Sequence, residues 1–139
     1  MNRVVFLDTS YAIALSARAD QLHEPAVRVA ELLESEDVSL VTTRAVTLEI
    51  GNALSKLKYR AEATELLQSL EDDPAVEIVP LTEELYERAY QLYAGRPDKE
   101  WGLTDCVSFV VMQDHGLTEA LTADEHFRQA GFSAMLRES

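Results

Sequence analysis

Val4-Val5-Phe6-Leu7-Asp8-Thr9-Ser10 decides how the rest of the chain is read. Four consecutive apolar residues, two β-branched and one aromatic, predict a strand buried on both faces, as in the interior of a parallel sheet. Asp8 follows where such a strand leaves the sheet. Thr9 and Ser10 are residue types that cap a helix N-terminus by accepting hydrogen bonds from its free amides, and that role is expected of them here. Ligands of open α/β sheets bind beyond the carboxyl ends of the strands. Any functional partner of Asp8 should therefore lie along the same edge.

Moving outward, residues 11–16 are mostly apolar and suit a buried helix start. Leu22, Ala26, Val29, Ala30 and Leu33 recur at helical spacing and predict an amphipathic helix over 20–36, with Pro25 in its first turns. Residues 38–42 read as a strand, followed by Thr43 as cap of a helix from 44 to about 57. A second amphipathic helix is expected over 61–70. Residues 76–79 alternate as an edge strand with Glu77 outward. Thr82 caps a helix over 83–94, and residues 95–102 form the long interior loop. Residues 103–112 predict a cap and then a helix apolar on nearly every side, with Asp105 in its first turn and Ser108 one turn on. Residues 119–122 form a strand that Asp124 leaves to open a short helix, and 132–136 supply a final strand. This βα repetition predicts an α/β fold, one domain over 1–139, with a central parallel sheet of four to five strands flanked by helices. Right-handed crossovers place the strand C-termini, and with them Asp8 and Asp124, on one edge.

Composition narrows the classes. A chain of 139 residues with 47% apolar content and only 5 Gly and 4 Pro suits a compact core rather than a disordered or fibrous state. No apolar run approaches the roughly 20 residues that span a bilayer, so no membrane association is expected. The N-terminal apolar run is too short for a secretory signal. The lone Cys106 excludes an intramolecular disulfide and suits a reducing cytoplasm. Twelve Lys and Arg against 25 Asp and Glu give a net charge of -13, which argues against a broad basic face gripping nucleic acid. Chemistry on nucleic acid through metal ions stays open, because divalent cations bridge carboxylates to a phosphodiester.

Among so many acids, most are solvated surface. Asp8, Glu49, Asp105 and Asp124 differ because they sit among apolar or capping residues rather than in acidic runs. Each has a structural reading as well: Asp8 and Asp124 as helix caps, Asp105 as a complement to a helix dipole, Glu49 as part of a narrow polar stripe shared with Asn52. Glu77 also has apolar neighbours, yet an edge strand accounts for it. Taken together, four carboxylates at one pocket repel one another unless cations are present, which points to Mg²⁺ or Mn²⁺. His23, His115 and His126 are scattered along the sequence, and Cys106 reads as a small core residue.

Four segments in this order carry a family resemblance: Phe6-Leu7-Asp8-Thr9-Ser10; Glu49 with Asn52 and Leu54; Leu103-Thr104-Asp105-Cys106-Val107-Ser108-Phe109; and Leu121-Thr122-Ala123-Asp124-Glu125-His126-Phe127. Together they resemble PIN-domain ribonucleases, more closely the VapC-type toxins of bacterial and archaeal toxin-antitoxin pairs. The resemblance implies a PIN-like three-layer fold, a Mg²⁺-dependent endoribonuclease leaving a 5′-phosphate and a 3′-hydroxyl, a homodimer, and neutralisation by a cognate antitoxin. Asp8 and Asp105 match the principal metal ligands of the family, and Glu49 and Asp124 match its further acidic positions. Thr9 and Thr104 match supporting hydroxyl positions, with Ser108 nearby. Gly102 stands where many relatives have Ser. Arg44, Lys56, Lys58, Arg60, Lys99 and Arg128 are candidates for contacts to the RNA backbone, with a solvated face as the alternative. Trp101 is a candidate for base stacking, with packing beside the site as the alternative. Two other classes share parts of the pattern: an acid-cluster phosphotransfer or phosphatase domain, and a non-catalytic RNA- or protein-binding module. The former usually needs a second acid or a Thr two residues after the strand-end Asp, where this chain has Ser10.

Overall fold

The first strand, β1 (Val4–Leu7), takes the centre of the sheet because its residues tolerate burial on both faces: Val5 and Phe6 are fully buried and Leu7 nearly so. In the computed structural model, which describes residues 3–138, it is joined by β2 (Ser39–Thr43), β3 (Val76–Val79), β4 (Glu119–Leu121) and β5 (Ser133–Ala134). All pairings are parallel and the order is β3-β2-β1-β4-β5. Phe6 is flanked by Val41 on one side and Ala120 on the other, so the registers of β2 and β4 both refer to β1. The chain winds outward from β1 through β2 to β3, then returns to place β4 on the opposite side of β1. That reversal opens a crevice beyond the C-termini of β1 and β4, the usual binding place in open α/β sheets.

The connecting helices are α1 (Thr9–Ser16), α2 (His23–Ser35), α3 (Arg44–Ala53), α4 (Leu57–Asp72), α5 (Glu83–Gly95), α6 (Leu103–Asp114), α7 (Glu125–Gln129) and α8 (Met135–Glu138). Thr43 and Thr82 cap α3 and α5, each side chain accepting a backbone N–H at 3.1 Å. Thr9 and Ser10 do not cap α1. Asp8 occupies the N-cap position and the two hydroxyl residues lie inside the helix, because the strand ends one residue closer to the helix than a Thr or Ser cap requires. The helix expected over 61–70 begins at Leu57: nothing in 57–60 breaks a helix, and the apolar face that guided the expectation starts only later, Leu57 itself being exposed. The final strand is confined to Ser133–Ala134, since Met135 already opens α8. Among the described residues no helix is long and apolar enough to cross a membrane.

Phe109, on α6, which is buried from Cys106 to Met112, ties together the loop and helices around the crevice. Its ring lies 5.1 Å from that of Trp101, 5.0 Å from Phe127 and 5.7 Å from Phe132, the first two edge-on. Trp101 is therefore a packing residue: it is buried, and its indole N–H donates to Gln129 Oε1 at 3.0 Å, which leaves no free face for a base. Replacing Phe109 by Ala should lower stability by about 3–5 kcal/mol in urea unfolding, the range for emptying a buried aromatic site; a loss below about 1 kcal/mol would contradict this packing.

Candidate metal centre and active site

Asp8 leaves the sheet at the end of β1 with only 4% of its surface exposed. Its Oδ2 accepts hydrogen bonds from Thr122 Oγ1 at 2.7 Å and Ser10 Oγ at 3.3 Å. The same two hydroxyl oxygens accept from the backbone: Ala123 N–H donates to Ser10 Oγ at 3.2 Å and Asp124 N–H to Thr122 Oγ1 at 3.0 Å. The ends of β1 and β4 are thus sewn together through Asp8. Sequence reading gave Thr122 no role; its position directly after β4, two residues before an isolated acid, was the available signal.

Thr9, on the opposite side of α1's first turn, donates its hydroxyl to Glu49 Oε1 at 2.5 Å and so links α1 to α3. Glu49 and Asn52 share a face, as their spacing requires, and with Leu48, Leu103, Thr104 and Val107 they line a cleft of about 300 Å³. Ser108 is buried and donates to the Thr104 carbonyl one turn back, within α6.

Asp105 sits in the first turn of α6. Its Oδ2 accepts the Gly102 N–H at 3.0 Å. The ring nitrogen Nδ1 of His126 lies 3.0 Å from the same oxygen and 3.3 Å from Asp124 Oδ1. Asp124 caps α7 by accepting the His126 N–H at 2.9 Å. Asp105, Asp124 and His126 place one ligand atom each within 4.8 Å of one another, and among the described residues no other such trio of acidic, His or Cys side chains occurs. His126 is therefore not scattered from the acids: the two-residue spacing in Asp124-Glu125-His126 folds it back over the cap, a short-range turn that a search for histidine clusters does not register.

Electrostatics joins the four predicted acids in two overlapping halves. Burial pushes the Asp8 carboxyl up to about 6, opposed by the Thr122 hydroxyl and the Thr9 amide and reinforced by the charges of Asp105 and Glu49. Burial also raises Asp105, opposed by the Gly102 amide and His126 and reinforced by Asp124. Asp105 is common to both halves, whereas Asp8 and Glu49 stand outside the tight trio. Partly buried carboxylate oxygens held in this way, with one imidazole, form a donor set suited to a divalent cation.

The expected basic contacts are mostly committed elsewhere. Arg44 pairs with Glu71, Arg128 lies 3.5 Å from Glu125, Lys99 lies 3.9 Å from Asp98, Arg60 donates to the Ser55 carbonyl, and the Lys58 ammonium lies 4.9 Å from the Tyr59 ring centre. Arg137, which sequence reading passed over, reaches the rim of the site, where it donates to the Ala123 carbonyl and lies 3.7 Å from Glu125.

Residues 5–133 match the PIN domain. The chain belongs to the PIN domain family, a class of metal-dependent nucleases, and within that class it is VapC-like. It is 27% identical over 129 residues to the 23S rRNA-specific endonuclease VapC20 of Mycobacterium tuberculosis, covering 93% of this chain and 95% of the relative. The crystal structure of that protein, described as a sarcin-ricin loop cleaving toxin, superposes with a TM-score of 0.82 at 26% identity, over 92% of this chain and 95% of the other. VapBC2 of Rickettsia felis, bound to a DNA fragment from its promoter, shares the fold with a TM-score of 0.68 at 13% identity, over 94% and 96% of the two chains.

A buried carboxyl raised in this way has a measurable consequence. Protonated Asp8 favours the folded state; that contribution is whole below about pH 4 and is lost as pH rises through about 6. A rise from the ordinary 3.8 to about 6, at 1.36 kcal/mol per pH unit, amounts to about 3 kcal/mol. In chelator, Asp8→Asn should therefore be more stable than wild type at pH 7, by up to that amount, with the advantage vanishing towards pH 4. Parallel stability curves for the two proteins would show that Asp8 is not strained by ionisation.

Proposed function

We propose that this protein is the toxin of a toxin-antitoxin pair, an endoribonuclease that uses Mg²⁺, with Mn²⁺ as substitute, to hydrolyse RNA phosphodiester bonds. The observation that carries this reading is Asp8: a nearly fully buried carboxylate at a sheet switch point, within electrostatic reach of two further acids, in a chain with the PIN fold. Asp8, Glu49, Asp105 and Asp124 are the residues assigned to hold the cation. A cation held there would supply activation of a water and charge stabilisation at the leaving oxygen. Asp8 and Asp105 act as carboxylates in this scheme, having released their protons to solvent. Thr9 aims Glu49; Ser10 and Thr122 aim Asp8. Gly102 N–H holds Asp105 on the site side of α6. Thr104, at the cleft wall, is assigned a supporting role towards substrate.

Similarity to VapC20 favours 23S rRNA, at its sarcin-ricin loop, as the first substrate to test. The acidic surface, with a net charge of -13, favours an antitoxin that contributes a basic segment. The lone, buried Cys106 suits a reducing cytoplasm. PIN membership speaks against the phosphatase alternative, and retention of all four acids speaks against a non-catalytic module. For the homodimer, support comes from Leu48, Leu81, Tyr86 and Tyr90, large apolar side chains exposed on and beside α3 and α5 next to the cleft. Such a face suits an isologous contact with a second copy.

Incubation of 23S rRNA and ribosomes with the protein should give a discrete cut in Mg²⁺, none in chelator, and a loss of at least about 100-fold in rate for Asp8→Asn, roughly 3 kcal/mol of barrier. Equal cleavage by the variant would overturn the mechanism. In sedimentation velocity, wild type should run as a dimer and the Leu48→Glu/Tyr86→Glu double variant as a monomer; a monomeric wild type would remove the dimer from this reading.

A further inference from the structure

We propose that His126 is a metal ligand, so that the cation site has a mixed oxygen and nitrogen half formed by Asp105, Asp124 and His126. This inference rests on the metal-dependent nuclease reading and deepens it. The three side chains come from the start of α6 and the start of α7, and one atom of each meets within 4.8 Å: Oδ2 of Asp105, Oδ1 of Asp124 and Nδ1 of His126. The imidazole is not a loose surface group that has drifted toward acids. Its backbone N–H is tied to Asp124 at 2.9 Å, and its neighbour Phe127 is fully buried against Phe6 and Phe109, so the turn that carries the ring is anchored on both sides. The nitrogen that faces the carboxylates is the one offered to the metal.

The chemistry of the donor set then decides the class of cation. Mg²⁺ takes oxygen ligands and keeps several waters, whereas imidazole suits first-row transition ions. A site with one nitrogen donor favours Mn²⁺ or Co²⁺ over Mg²⁺ more strongly than four carboxylates alone. Coordination uses the Nδ1 lone pair, which requires the tautomer with the ring N–H on Nε2. Asp105 belongs to the trio and its charge also acts on Asp8.

Electron paramagnetic resonance on the full chain with Mn²⁺ alone tests this without reference to turnover. The free-Mn²⁺ signal reports binding, and pulsed measurements report nitrogen-14 coupling from a bound imidazole. Wild type should bind Mn²⁺ with imidazole coupling; His126→Gln should lose the coupling and bind Mn²⁺ about 10-fold or more weaker, with a smaller change for Mg²⁺. Mn²⁺ bound by wild type without nitrogen coupling, or coupling that persists in His126→Gln, overturns the proposal while Mg²⁺-dependent RNA cleavage in the same preparation keeps the nuclease reading. No Mn²⁺ binding together with no cleavage overturns both. If His126→Gln folds poorly, the His23→Gln and His115→Gln variants decide the assignment: both should keep the coupling, and its loss in either overturns the proposal.

Discussion

A carboxylate placed where the protein excludes water is the constraint on which the structure turns. Asp8 is tolerated there because two hydroxyls, from Ser10 and Thr122, reach its Oδ2, and because those hydroxyls in turn accept the amides of Ala123 and Asp124. The arrangement fastens the end of β1 to the end of β4 across the switch point. It thereby places the segment that carries Asp124 and His126 beside the one that carries Asp8. Burying an acid in this way works against folding unless hydrogen bonds or a cation favour its charged form. A fold that retains it carries that electrostatic cost at the end of β1.

Packing supplies the rest of the geometry. The apolar side chains of α6 run through the core, and Phe109 at their centre meets Trp101, Phe127 and Phe132. Those rings belong to the loop before α6, to α7, and to the segment after α7. The aromatic cluster therefore fixes α6 relative to α7, and with it the approach of Asp105 to His126. Function at the surface of the crevice depends on rings that never touch it.

The basic residues illustrate how a charge list misleads. Several cations that sequence reading offered for RNA contacts are engaged by nearby acids or carbonyls, as Arg44 is by Glu71 and Arg60 by Ser55. With 25 acids in 139 residues, a surface cation has a partner close at hand almost wherever it lies. Such cations reach a polyanion only by displacing these exposed pairs, which are individually weak.

Sequence by itself determined the central strand, the parallel α/β order, the caps at Thr43 and Thr82, and the four unusual acids. Each of these is encoded by local period or by a residue whose chemistry conflicts with its neighbours: four apolar residues ending in Asp8, or Glu49 within an apolar helix. Tertiary structure alone decided which groups meet. Thr9 turned from an expected cap into the partner of Glu49, 40 positions away, and Thr122 became the partner of Asp8, 114 positions away. His126 joined Asp105 across 21 residues, and Trp101 was committed to the core. The physical reason is the same in each case. A strand or helix reports its own periodicity in its sequence, whereas a hydrogen bond between elements depends on register and packing set by the whole sheet.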